Sequence, residues 1–589
     1  MRPRPFLADG RVVVITLLAV GVAVLASATA LALTALIAGV THLAFFGRLS
    51  VEPVSPADNA LGGVVVLVPV LGGLVVGLMA RFGSEKIRGH GIPEAMEQVL
   101  LNQSRVPPRL TFLKPLSAAI AIGTGGPFGA EGPIIATGGA LGSLVGQLLH
   151  TTSMERKTLL AAGAAAGMAA TFGTPLAAVL LAVELLLFEL RPRSLVPVAF
   201  AAATAMLLRL AHAGAAPFFP MPPLLVPRAL AIVSYVGIGA VCGGASVAIT
   251  RLVYAVEDGF ARLPLHWMWW PALGGLVVGL VGLVAPHTLG VGYDNIANLV
   301  SGRLAVEAAM VLFAWKLLSW SVALGSGTSG GTLAPLFTIG GGLGAALGAA
   351  LAHVLPAAGI DPRIAALVGM AALFAGASRA VLASVVFAFE TTLAPLALLP
   401  LLGGCTAAFL VSCLAMRNSI MTEKIARRGV RVPAEYAADY LDQVLVGHVA
   451  SKPAHTLRAD MRAGELVAWL ASGAPGTQHQ GFPVCDSTGR LVGVVTRRDL
   501  ARAGDPAAKL SEFATAPAVS IPEDGTLREA ADLMTLAGVG RLPVVARDDG
   551  ARAIGILTRS DLLSAHRRRL EETHALRRGL APFRKPRAV

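Results

Sequence analysis

GGPFGAEGP, Gly125 to Pro133, decides how this chain is read. It lies inside a long apolar region and sets a carboxylate, Glu131, between glycines, just before a helix-forming run from Pro133 to Leu149. In hydrocarbon an ionisable side chain costs several kcal/mol or more, so Glu131 points to a functional site. The glycines let backbone amides approach a ligand closely. The helix that begins here aims the positive end of its dipole, roughly half a charge, at whatever precedes it. Such an end attracts anions, and Glu131 either fills that place itself or gives way to a dissolved ion.

Of the 589 residues, 55% are hydrophobic and 14% charged, and the mean hydropathy is +0.69. That is too apolar for a soluble protein of this length and indicates a polytopic membrane protein. The net charge of +13 accompanies no nucleic-acid motif; arginines gather at the termini and in short loops, as positive-inside flanking requires. Nucleic acid is therefore not expected as a partner. Cys242, Cys405, Cys413 and Cys485 form no CxxC pair and indicate neither a disulfide framework nor a metal site. Arg2 and Arg4 precede an apolar run from Val12 to Val40, longer than a signal-peptide core, which reads as a retained first membrane helix.

Apolar segments follow at about Gly62 to Met79 and, after the basic loop Arg81 to Arg88, from GHGIPE at Gly89 to Glu94. Thr111 to Ile122, Ile134 to Leu149, Leu159 to Ala170 and Pro175 to Phe188 are short and separated by glycine and proline, which predicts broken or tilted helices meeting inside the bilayer. Longer runs lie at Leu195 to Leu210, Leu230 to Tyr254 and Pro271 to Val284, the last preceded by Trp267, Trp269 and Trp270 at an expected membrane interface. A second half repeats the first. Lys114 precedes Pro133 by the interval that separates Lys316 from Pro335, and TPLAAVLLAVE (Thr174 to Glu184) matches AVLASVVFAFE (Ala380 to Glu390). An inverted repeat with its site at the repeat interface is expected.

From Met416 to Arg431 the chain turns polar and basic. From Gln443 onward two soluble units recur: Ala463 to Leu470, FPVCD (Phe482 to Asp486) and GVVTRRD (Gly493 to Asp499), then Leu527 to Ala537, LPVVARD (Leu542 to Asp548) and GILTRSD (Gly555 to Asp561). Each reads helix, strand, turn, strand, helix.

These motifs, in this order, resemble the CLC family of chloride channels and transporters followed by a tandem pair of CBS domains. GHGIP is similar to the family's GSGIP, GAEGP at Gly129 to Pro133 to GREGP, and GTLAP at Gly331 to Pro335 to GxFxP. The resemblance implies an all-α polytopic membrane domain, an inverted repeat of broken and tilted helices, over residues 1–430. A linker at 431–442, α+β CBS domains at 443–503 and 504–566, and a basic tail at 567–589 complete the expected organisation. It implies a transporter or channel rather than an enzyme, with Glu131 as the gate. Amides of Thr332 and Leu333 would hold a central anion, and those of Ala130 to Gly132 an outer one, with His90, Gly91 and Met421 counted among the anion contacts, His90 through its ring N–H or else as a wall of the cytoplasmic vestibule. Helix starts serve such a pathway because oriented dipoles replace water without binding too tightly to conduct. Lys114 resembles a lysine beneath the pathway that raises the local potential; a snorkelling or ion-paired lysine is the alternative. Thr496, Asp499, Thr558 and Asp561 match the CBS signature that holds an adenine nucleotide's ribose, the alternative being that they cap the following helices.

The chain departs from the family pattern in several places. His90 stands where relatives carry a serine, Ala130 replaces the motif arginine, Leu333 the usual phenylalanine, and Met421 falls where the pathway tyrosine of the last membrane helix is expected. Glu184 is followed by Leu185, where exchangers of the family carry a second glutamate as internal proton acceptor. Adjacent helical residues point about 100° apart, so Glu184 does not substitute for it. On this ground a voltage- or pH-gated chloride channel is the first expectation, a proton-coupled chloride exchanger the alternative, and a non-conducting, membrane-anchored nucleotide sensor the second alternative. A homodimer in the plasma membrane with both termini in the cytosol is implied, taking chloride or a related anion, with protons in the exchanger.

Overall fold

Proline and glycine divide the apolar part of the chain into many short helices rather than a few long ones. The computed structural model describes residues 10–149, 151–428, 432, 441, 444–546 and 549–567. Arg2 and Arg4, most of the expected linker 431–442 and all of the expected tail after residue 567 lie outside the described residues. The chain separates into two units, Met1–Tyr436 and Ala437–Val589.

In the first unit α1 (Gly10–Thr41), α2 (Leu67–Phe82), α3 (Ile92–Leu101), α4 (Leu110–Gly123), α5 (Glu131–Leu148), α6 (Ser153–Phe172), α7 (Pro175–Ala182) and α8 (Pro192–Ala213) make one half. The second half repeats them in order as α9 (Ala229–Ala261), α10 (Trp270–Val284), α11 (Tyr293–Ser301), α12 (Val306–Gly325), α13 (Leu333–Val354), α14 (Pro362–Ser378), α15 (Val381–Thr392) and α16 (Leu398–Ala415). A short α17 (Glu423–Arg427) follows. Packing repeats too: α5 lies on α6 as α13 lies on α14, and α1 meets α6 and α8 as α9 meets α14 and α16.

A pseudo-two-fold relates the halves, and glycine marks it. A Cβ on Gly73 would collide with the carbonyl of Pro271, and one on Gly275 with the carbonyl of Pro69. Such exchanged contacts are the signature of a two-fold. Within each half, Gly138 abuts the carbonyl of Gly163, and Gly340 that of Gly369. In hydrocarbon, where apolar burial gives helices no reason to associate, close approach through small residues supplies the packing. The alanine-rich α6 and α14 accordingly run through the centre, with every residue from Ile364 to Ser378 buried. The outer faces are apolar: α1 alone exposes Leu17, Val24 and Leu31. Among the described residues, eight helices are long and apolar enough to cross a membrane.

Two expectations need correction. The run Leu159 to Ala170 is no fragment; α6 extends to 20 residues because Thr152 and Glu155 form a capping box upstream of the apolar stretch. The helix expected from Pro133 begins two residues earlier, at Glu131 itself.

Among its described residues the second unit holds two three-stranded sheets. In the first, β1 (Leu457–Arg458) pairs parallel with β2 (Gly481–Cys485), which pairs antiparallel with β3 (Leu491–Thr496). In the second, β4 (Ile521–Pro522), β5 (Arg541–Val545) and β6 (Ala553–Thr558) repeat the order. Each central pair carries an irregularity at the same place, Val484/Cys485 and Val544/Val545. The helix-first reading missed β1 and β4, since two residues are too few for alternation to register. The segment ahead of each sheet adds to the edge of the other: Ser451 bridges Ile556 of β6, and Thr515 bridges Val494 of β3. Each bridge covers part of an otherwise open edge, β6 in one sheet and β3 in the other.

Candidate functional site

The three helix-start motifs meet. Gly129 and Gly331, 202 positions apart, exchange backbone hydrogen bonds: the amide of Gly129 donates to Gly331 O at 3.1 Å and that of Gly331 to Gly129 O at 2.8 Å. Gly132 packs against the carbonyl of His90 and the Cα of Gly331, so a side chain there has no room. Gly89 bridges Ser329. The starts of α3, α5 and α13 are therefore held together by backbone contact through glycine.

The starts of α5 and α13 leave amides for a ligand. The N-cap residues of α5 and α13, Ala130 and Thr332, make no side-chain cap hydrogen bond. The first amides of a helix lack partners within it and carry the positive end of its dipole. At α3 the cap is Gly91 at φ 94°, a left-handed conformation that suits glycine, and its amide donates to Glu94 Oε2 at 2.7 Å.

Glu131 is completely buried at this junction. Oε1 accepts a hydrogen bond from the Tyr293 hydroxyl at 3.0 Å. Oε2 lies over Gly129, where a Cβ would collide with it, and has no hydrogen-bond partner among the described residues. The amides of Glu131 and of Ala334, in the first turns of α5 and α13, act on the carboxylate. An acidic side chain thus fills the space between two helix starts that sequence reading assigns to an anion. Nδ1 of His90 and Oγ1 of Thr332, also buried at the junction, have no hydrogen-bond partner among the described residues.

Ala130, Gly132, Thr332 and Leu333 are all buried here. Met421 is also buried but lies in the turn ahead of α17, past the end of the last long helix at Ala415, and so is not on that helix as expected. Its neighbour Ile420 accepts from the Tyr254 hydroxyl at 2.9 Å and, with His90, Lys114 and Lys424, lines a cavity of about 370 Å³ beside α3. At its wall Lys424 pairs with Glu94 at 2.9 Å.

Lys114 is buried rather than snorkelling, and among the described residues it forms no ion pair. Its Nζ donates to Ile87 O and Gly89 O, each at 2.7 Å, and so fixes the turn leading into α3. Lys316 treats the equivalent turn alike, donating to Thr288 O and Gly290 O at 2.9 Å. That turn, Gly290 to Gly292, leads into α11 and Tyr293, which sequence reading missed. GVGYDN is the repeat counterpart of GHGIPE, and searching the second half for that partner would have found it.

Glu184 and Glu390 are likewise exchanged. The Glu184 carboxylate accepts from the amides of Leu382 and Ala383 at the start of α15, at 3.0 and 2.9 Å. Glu390 accepts from Leu176 and Ala177 at the start of α7, at 3.1 and 2.8 Å. Leu185 is buried beside it.

In the second unit the hydroxyl and amide of Thr496 donate to Asp499 Oδ2 at 2.6 and 2.9 Å, and those of Thr558 to Asp561 Oδ2 at 2.8 and 2.7 Å. Both pairs face each other across a helix start, and the first closes a full capping box.

Comparison with known proteins matches residues 71–413 to the family model described as voltage gated chloride channel, and residues 446–505 and 510–568 to CBS domains. A putative chloride channel protein, ClcB-like, of Ralstonia nicotianae is 28% identical over 366 residues, 62% of this chain and 85% of the relative. The H(+)/Cl(-) exchange transporter ClcA of Vibrio campbellii is 31% identical over 366 residues, 59% of this chain and 76% of the relative. A crystal structure of a slow cyanobacterial Cl-/H+ antiporter superposes with a TM-score of 0.64 at 22% identity, covering 70% of this chain and 97% of that one.

Proposed function

The chain belongs to the voltage-gated chloride channel family, a multi-pass membrane family, and from that membership we propose that it exchanges chloride or a related small anion for protons, with Glu131 as the gate. The observation that carries the reading is the Glu131 carboxylate lying between the starts of α5 and α13. An anion crossing a low-dielectric medium needs water replaced by fixed dipoles, and helix starts provide them without a full countercharge. A carboxylate and a dissolved anion compete for one seat; a proton on the carboxylate removes its claim. One side chain then links the two fluxes.

This replaces the expectation of passive conduction drawn from Leu185. The Vibrio relative bears an exchanger's name, and Glu184, neighbour to Leu185, is committed to the start of α15. Protons reach Glu131 by another route on this reading. The cavity beside α3 is roomy and polar enough to hold water that carries them.

Around this core the reading places the protein in the plasma membrane as a homodimer, one pathway per subunit, with both termini in the cytosol and an adenine nucleotide as the ligand of the CBS pair. Thr496, Asp499, Thr558 and Asp561 would then serve a ribose in addition to their helices. Lys114 contributes its charge from behind Gly89, and His90, Gly91 and Met421 border the inner end.

Reconstituted protein under opposed chloride and pH gradients tests the proposal. An exchanger's reversal potential is displaced by the pH gradient; one that follows chloride alone restores the channel, and no flux with any nucleotide restores the sensor.

A further inference from the structure

Tyr293 lies 162 positions from Glu131 and supplies, among the described residues, the one side-chain hydrogen bond to its carboxylate. Its ring is fixed. Phe172 and Phe218 meet it edge-on at centroid distances of 5.8 and 5.2 Å, and Phe219 meets it tilted at 6.2 Å. Edge-to-face packing of this kind holds an aromatic in one orientation. The backbone is fixed as well, since Tyr293 opens α11 directly after Gly292, and Lys316 anchors the preceding turn at Gly290 O. The hydroxyl is therefore a stationary donor aimed at the carboxylate of a mobile gate.

We propose that Tyr293 is the positioning residue that holds the ionised carboxylate of Glu131 in its seat and sets how much acid is needed to release it. The inference rests on Glu131 being the gate, as argued above. A hydrogen bond donated to a carboxylate favours the charged form over the protonated one. Among the described residues, besides Tyr293 from α11, Lys316 from α12 is the charged group acting on Glu131; α5 and α13 contribute backbone amides. Oε2 has no hydrogen bond of its own among the described residues, so Oε1 and its phenol carry the side-chain contact.

Chloride efflux from proteoliposomes, followed against pH, tests this in the full chain with Tyr293→Phe, with 3-fluorotyrosine incorporated at 293, with Glu131→Gln, and with the double variant Glu131→Gln/Tyr293→Phe. Phe keeps the ring contacts and removes the donor; its half-maximal flux moves about one pH unit toward neutral, tenfold less acid. Fluorotyrosine, the stronger donor, moves it the other way. Glu131→Gln abolishes the pH dependence, and Phe at 293 adds no further change to it. A flat Glu131→Gln profile together with an unshifted Phe midpoint overturns the inference and leaves the gate standing. If Glu131→Gln keeps the parent profile, the gate itself is wrong. If the Phe variant fails to fold, an unshifted fluorotyrosine midpoint overturns the inference and a shift toward acid supports it.

Discussion

Glu184 and Glu390 cap each other's helices: each leaves the end of its own element to accept two backbone amides at the start of the other's, Glu184 at α15 and Glu390 at α7. The repeat halves are thus tied by two carboxylates acting in exchange, in addition to glycine packing. Glu184→Ala or Glu390→Ala leaves two amides without their acceptor, a loss of about 1–3 kcal/mol for each substitution. Thermal unfolding in detergent should drop by a similar amount for both, and Glu→Gln, which keeps an acceptor, should lose less. An unchanged midpoint in either would refute the tie.

Gly129→Ala and Gly132→Ala separate the gate from its frame. A methyl on Gly129 meets the carboxylate of Glu131, the far end of a movable side chain, whereas one on Gly132 meets the backbone carbonyl of His90. Gly129→Ala should therefore fold and pass chloride at neutral pH faster than the parent, because the carboxylate is pushed from its seat. Gly132→Ala should yield little folded protein by size-exclusion chromatography. The reverse order would contradict the geometry.

Lys114→Met and Lys316→Met remove matching pairs of hydrogen bonds to buried carbonyls. Each should cost about 2 kcal/mol, since hydrogen bonds from a charged donor are the stronger kind. If only Lys114→Met mattered, and only for flux, the lysine would act through its field alone.

In the second unit Asp486 has a carboxyl held below its usual range, first by the Thr488 hydroxyl and then by the Arg490 amide. A depressed value in the folded state means the turn is strengthened above the unfolded value, about 3.9, and weakens as pH falls through the lower folded value. Hydrogen-exchange protection of the Thr488 and Arg490 amides, corrected for intrinsic rates, should hold at neutral pH and fall only below about pH 4. Asp486→Asn should flatten that dependence.

Much of this architecture could be read from residue order because the repeat writes its elements twice. The Lys114-to-Pro133 and Lys316-to-Pro335 spacing located the halves, and Glu131 declared itself by being a charge among glycines. The misses have a common physical origin. Tyr293 reads as an ordinary aromatic until folding brings it to a carboxylate 162 positions away. The roles of Glu184 and Glu390 exist only across the two-fold, and β1 and β4 are too short to show alternation. A sequence does not reveal which carbonyls a buried ammonium finds, so the turns that Lys114 and Lys316 fix are visible only in the fold.

The central claim is that the Glu131 carboxylate and a dissolved anion occupy one seat. Crystals of Glu131→Gln grown in bromide test it most directly through anomalous scattering. The account predicts a bromide peak between the starts of α5 and α13, where the parent carboxylate lies, and a weaker or missing peak in the parent at neutral pH. Equal peaks in both proteins, or none there in the variant, would contradict it.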